Sequence, residues 1–236
     1  MPMLQLLNNI QHKDLRVITQ RGERWGDAFM SAPVTVNEFR RAQAHYPIVF
    51  QSDGKGGFVP TALFSLHDGQ NLFLTADGGS GWDADYVPLS VQRLPFSIGV
   101  AEDELRVMVD MSSKRISHGA EGEAVFLPQG GTTDFTENMN SVLRLLHEGL
   151  EATTEFVQTL MAHDLLEPFV LNVERPDGTR GELVGYHTIN EDRLAALEAS
   201  TIGLLHQADY LMPLYMALAS LSNFAPLIQR HLAREA

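Results

Sequence analysis

The chain has 236 residues, with 30 acidic against 17 basic side chains and a formal net charge of −13. That balance repels phosphate backbones and anionic bilayers at long range and attracts a cationic peptide or a basic protein patch. With no cysteine in the chain, disulfides, thiolate metal sites and thiol catalysis are excluded.

Met1 to Ile18 lacks a basic segment followed by an apolar core, so no signal peptide is expected and the expected location is cytoplasmic. The first 30 residues mix apolar and charged groups without a clean period. Val34 to Ala44 reads as a short helix, capped by Thr35 or Asn37 and anchored by Phe39. Five short strands are then expected: Ile48 to Phe50, Thr61 to Leu66, Asn71 to Thr75, Phe96 to Val100, and Leu105 to Asp110. Turn residues bound several of them, at Asp53-Gly54, Asp68-Gly69 and Asp77-Gly78, and Glu102-Asp103-Glu104 reads as a solvated hairpin tip. Strands so closely spaced favour a largely antiparallel sheet in the N-terminal half.

The second half changes character. Asp134 followed by Glu137 predicts the start of a long helix, with Asp134 as its cap. Met139, Val142, Leu143, Leu146, Leu150, Val157, Leu160 and Met161 define its apolar face, and it should end near His163-Asp164. Phe169 to Val173 and Leu183 to Ile189 form a second hairpin around a turn at Pro176-Asp177-Gly178. Thr188 with Glu191 predicts a capping box for a short helix, and Ser200 a cap for the next. An apolar helix with Leu211, Leu214, Tyr215, Leu218 and Leu221 follows, with Pro213 in its first turn and Pro226 ending or kinking it. The run from Tyr210 to Gln229 is uncharged, but prolines, serines and an asparagine interrupt it, so a buried helix is expected rather than a membrane span. A boundary near residue 130 has no linker to mark it, and one α+β domain over 1–236 is expected.

Catalytic signatures are sparse. The nine histidines show no i, i+4 pair and no His-x-His, and no metal site is expected, although His67 with Asp68 and Asp110 could assemble one from a distance. Gly-x-Ser-x-Gly is absent, no glycine-rich loop precedes a helix in a phosphate-binding pattern, and no cofactor is expected. The segment from Asn71 to Phe96 stands out instead, because aromatics and prolines sit there outside any regular period. Phe73, Trp82, Tyr86 and Phe96 would line a groove for a peptide or planar ligand, with Asn71 and Arg93 supplying polar contacts, or would close one end of the sheet as satellite core.

The same segment carries a family resemblance. Tyr46-Pro47-Ile48-Val49-Phe50, Asn71-Leu72-Phe73, Trp82, Tyr86-Val87-Pro88 and Arg93-Leu94-Pro95-Phe96 follow one another as in the bacterial SapC family. Asp110, Gly122-Glu123 and a later pattern through Leu205-His206, Tyr210-Leu211 and Ser220-Leu221 continue it. Where the family favours glycine before the late Tyr-Leu, this chain has Asp209, which tolerates a left-handed turn less well. The resemblance brings no catalytic activity with it, and the transporter permease that shares the name needs several membrane spans. It implies an accessory role beside flavin-dependent halogenase-like enzymes, cupin-like proteins or TonB-dependent uptake receptors.

Three readings follow. The first is a non-catalytic adaptor that binds a peptide or protein partner through the groove around Trp82, Tyr86 and Arg93. The second is an enzyme using Asp110, His67, His206 and Tyr210. The third is a structural homodimer joined through the C-terminal helices.

Overall fold

The computed structural model describes residues 2–75, 81–101, 104–174 and 180–235. In chain order the first elements are β1 (Leu4–Leu6), β2 (Arg16–Val17), β3 (Ser31–Pro33), α1 (Phe39–Ala42), β4 (Ile48–Ser52), β5 (Phe58–Leu63) and α2 (Leu89–Gln92). Then come β6 (Phe96–Ala101), β7 (Glu104–Asp110), β8 (Ile116–Ser117), β9 (Glu123–Ala124) and the long α3 (Asp134–Ala162). The chain closes with β10 (Leu166–Glu174), β11 (Arg180–Ile189), α4 (Glu191–Ala195), α5 (Ala199–Gln207), α6 (Leu211–Ser220) and α7 (Phe224–Glu235). This is an α+β protein in which all the paired strands run antiparallel. The turns expected at Asp77-Gly78, Glu102-Asp103 and Pro176-Asp177-Gly178 lie outside the described residues.

Two compact units form, and both are discontinuous in sequence. The first takes Met1–Ala28 and Phe73–Glu148; the second takes Phe29–Leu72 and Gly149–Ala236. None of the crossings falls near residue 130, and α3 changes unit after Glu148.

In the first unit, β7 lies between β1 and β6, and β2 lies between β8 and β9. Leu15, Val17, Phe96, Val109, Ile116, Val125, Met139, Val142 and Leu143 make one core. The start of α3 differs from expectation. Asp134 is its first helical residue, and Thr133 is the cap: its hydroxyl accepts from Thr136 N at 3.3 Å and donates to the Ala124 carbonyl at 2.7 Å. That second bond, to β9, is a tertiary contact that local sequence does not display.

The second unit is built on a five-stranded sheet in the order β10-β11-β4-β5-β3. The second hairpin therefore extends the sheet begun by the N-terminal strands, through the pairs Tyr186–Gln51 and His187–Phe50. Of the two expected caps Thr35 is the one used, in a capping box whose Glu38 carboxylate accepts from Thr35 N at 2.8 Å ahead of α1, and Phe39 is fully buried. The second half of α3 passes directly over this box. A Cβ at Gly149 would sit 2.7 Å from the Thr35 hydroxyl, so only glycine allows the approach, and Thr153 accepts from Val36 N at 2.9 Å.

Other local expectations are displaced. Asn71 to Thr75 is not a strand; one isolated bridge, Leu74 to Trp82, marks it. Thr188 lies inside β11, and Asn190 caps α4 by accepting from Arg193 N at 2.7 Å. Ser200 is the second residue of α5, behind Glu198, which makes no side-chain cap bond. Helix α6 ends at Ser220, and Pro226 sits in the first turn of α7, where its missing N–H leaves no orphan. Asp209 does take the left-handed turn that glycine would have favoured, with φ of 58°.

Candidate functional site

The aromatic segment is interior. Phe73, Trp82, Tyr86 and Phe96 are 4%, 5%, 7% and 1% exposed, so the rings present almost no surface to a partner. Phe73 and Trp82 stack with centroids 6.5 Å apart, and Asp83 N donates to the Phe73 carbonyl at 2.8 Å. Gly81, with φ of 76°, lies so close to the chain that a Cβ there would fall 2.2 Å from the Arg21 carbonyl. Phe96 belongs to the core and faces Phe135. Arg93 closes α2 and donates to the Phe96 carbonyl at 2.6 Å, and burial holds its guanidinium below its usual pKa. Asn71 is fully buried in the second unit.

The four residues considered for catalysis do not share a unit. Asp110 is in the first; His67, His206 and Tyr210 are in the second. Asp110 ties β1 to β7: its Oδ1 accepts from Met3 N at 2.8 Å, Ser112 N at 3.0 Å and the Ser112 hydroxyl at 2.6 Å. Burial works against its charged form, but these bonds outweigh it and hold the pKa below the ordinary carboxylate range. A depressed folded-state pKa gives stability above the unfolded value that is lost as pH falls through the folded one. Between pH 5 and 2 the wild type should therefore lose more of its thermal midpoint than Asp110→Asn. Parallel pH profiles from circular dichroism melts would refute that role.

His67 is exposed and sets its ring 4.8 Å from that of buried His231, beside a cavity of about 20 Å³ that also touches Glu182. That volume suits about one water molecule. Tyr210 packs edge-on to Phe156 at 5.4 Å, and burial, with Glu155 nearby, raises its pKa. Among the described residues no group of three or more His, Asp or Glu is arranged to hold a metal.

A wider opening lies elsewhere in the second unit. Helix α6 buries Leu214, Ala217 and Ser220, spaced three apart, and packs on α1, β4 and β11. Ser220 fixes that contact by accepting from Ile48 N at 2.9 Å and donating to the Ala217 carbonyl at 2.5 Å. The opposite face, with Leu211, Met212, Tyr215, Met216 and Ala219, lines a groove of about 720 Å³. His206 and Asp209 at the end of α5, together with Gln43, line the rest of it. Met212 and Tyr215 are 54% and 55% exposed, although both are large apolar side chains. The sequence leads one to expect a buried helix here, or a homodimer seam, and not an open groove. The available signal was that α6 is apolar on every face, more than a one-sided sheet contact can cover. The helical stretch Leu211–Arg234 is long and apolar enough to cross a membrane by length and composition, and 28% of its most apolar window is buried.

Two units that alternate along the sequence, each with antiparallel strands and one bearing an open apolar groove, define an α+β protein. A family model described as SapC matches residues 7–227, and the chain belongs to the SapC family. No curated protein and no solved structure matches it.

Proposed function

We propose that this SapC-family chain is a non-catalytic binding protein, and that a basic peptide or protein segment with apolar anchors docks in the groove along α6. The observation that carries the reading is the pair Met212 and Tyr215, more than half exposed on a groove already walled by apolar side chains. Methionine and tyrosine suit such a surface, one by adapting its shape and the other by offering a rigid ring with a polar tip. The charge selects the occupant. A chain of net charge −13, with Asp209 at the groove, attracts a cationic segment and repels a second copy of itself. The aromatic segment around Trp82 then holds the first unit together instead of meeting the partner.

The test uses a synthetic amphipathic Leu/Lys peptide, with a Leu/Glu peptide of the same spacing as control, and fluorescence anisotropy as the readout. The Leu/Lys peptide should bind, and Tyr215→Ala with Met212→Lys should weaken it roughly 10–100-fold without moving the melting temperature. Equal binding of both peptides, or no effect of the substitutions, removes this reading. Sedimentation showing a micromolar dimer that Met212→Glu dissolves would put a second copy in the groove. Flotation with phosphatidylcholine vesicles would put lipid there.

A further inference from the structure

The segment from Arg21 to Asp27, in the first unit, brings two guanidinium groups, those of Arg21 and Arg115, to one buried carboxylate. Asp27 is fully buried, and both of its carboxylate oxygens accept from Arg115 Nη2, at 2.6 Å and 2.5 Å. Arg115 sends its other nitrogen to the carbonyls of Ile18 and Gln20, at 2.9 Å and 3.1 Å, and Gly22 N donates to Asp27 at 2.8 Å. Arg115 and Asp27 thus balance each other in charge.

Arg21 is a second cation at the same carboxylate. Its Nη1 lies 3.5 Å from Asp27 and donates to the Val91 carbonyl at 3.1 Å. Its Nε and Nη2 make no hydrogen bond among the described residues, yet its side chain is only 12% exposed. Two guanidinium groups thus share one carboxylate, in a protein that is otherwise strongly acidic. Burial first, and then the charge of Arg115, lower the Arg21 pKa to about 10. Trp25 Nε1, in the same segment, is buried without an acceptor among the described residues. A half-desolvated cation with an uncommitted edge gains more from an anion than an exposed one does, because water screens it less.

We propose that Arg21 anchors a small oxyanion site, receiving a carboxylate or phosphate group on its Nε–Nη2 edge. Arg115 serves the fold, whereas Arg21 has the planar fork left over that two oxygens of such a group match. The slight exposure of its side chain is the opening through which the anion enters. The site is independent of the α6 groove, which belongs to the other unit.

The experiment is a titration of the wild-type protein with inorganic phosphate and, separately, with acetate, at fixed pH and with ionic strength held by chloride. Both tryptophans, Trp25 and Trp82, lie in this unit, so intrinsic fluorescence and melting temperature are read together. A saturable fluorescence change, with a rise of about 3 °C at ten-fold excess over Kd, is expected for at least one anion. Response to phosphate alone identifies a phosphate group as the ligand, and response to acetate alone a carboxylate. Arg21→Gln should abolish the response. Arg144→Gln, which removes an exposed arginine from the same unit, should keep it. If Arg21→Gln does not fold, Arg21→Lys keeps the charge, loses the fork and should bind at least ten-fold more weakly. No saturable response from the wild type overturns the proposal, as does a response that survives in either Arg21 variant.

Discussion

Replacing Arg115 with methionine should remove about 3–5 kcal/mol of stability, a fall in melting temperature of roughly 10–15 °C for a chain of this length. The reason is the state left behind. Asp27 is fully buried, and without Arg115 its charge loses its shortest ion pair while Gly22 N and the more distant Arg21 stay beside it. The carbonyls of Ile18 and Gln20 lose their donors as well. Asp27→Asn should lose a similar amount, since it leaves two guanidinium groups without a carboxylate. The double variant should lose less than the sum, because a neutral pair buries one charge fewer. Urea denaturation of the four proteins measures all of this. A single-variant loss below about 1 kcal/mol would show that the pair is no better than a surface salt bridge.

Phe156→Ala is the other large effect, at about 3–5 kcal/mol. Phe156 is fully buried in the second unit, edge-on to Phe39 at 5.9 Å and to Tyr210 at 5.4 Å. Removing the ring opens a cavity between the second half of α3, α1 and the turn before α6, none of which is free to collapse into it. Leu150→Ala and Met161→Ala make the comparison, since both belong to the apolar stripe expected for α3. They are 53% and 37% exposed, and each should change stability by no more than about 0.5 kcal/mol. If either matches Phe156→Ala in a chemical melt, the stripe and not the burial describes that helix.

The same helix shows how far local pattern reaches. Met139, Val142, Leu143, Val157 and Leu160 are buried as their spacing requires. A 3.6-residue period identifies one side of a helix, but not where along it neighbours stand. Leu150 falls on the right side at a place where nothing covers it, while Phe156 lies off the stripe and is enclosed. Caps behave alike. Thr35 and Glu38 form their box because both halves are local, whereas Thr133 replaces Asp134 because β9 supplies a carbonyl to its hydroxyl.

The candidate sites were legible to different degrees. The family was legible, since a family is a property of sequence, and its model matches residues 7–227. Whether Trp82 and Tyr86 face a ligand or a core is not written in their identities, because aromatic rings serve both purposes. The α6 groove and the Arg21 edge were not legible, since each is defined by what fails to cover it or neutralise it.

Composition, the short antiparallel strands, the long helix and the family followed from the order of residues alone, because propensity, turn chemistry and periodicity act over a few positions. Tertiary structure decided the interleaving of the two units, the five-stranded sheet that joins distant hairpins, the burial of the aromatic segment and the exposure of Met212 and Tyr215. Those depend on contacts between residues far apart in sequence. Which apolar surfaces find partners is settled by the packing of the whole unit, not by the segments that carry them.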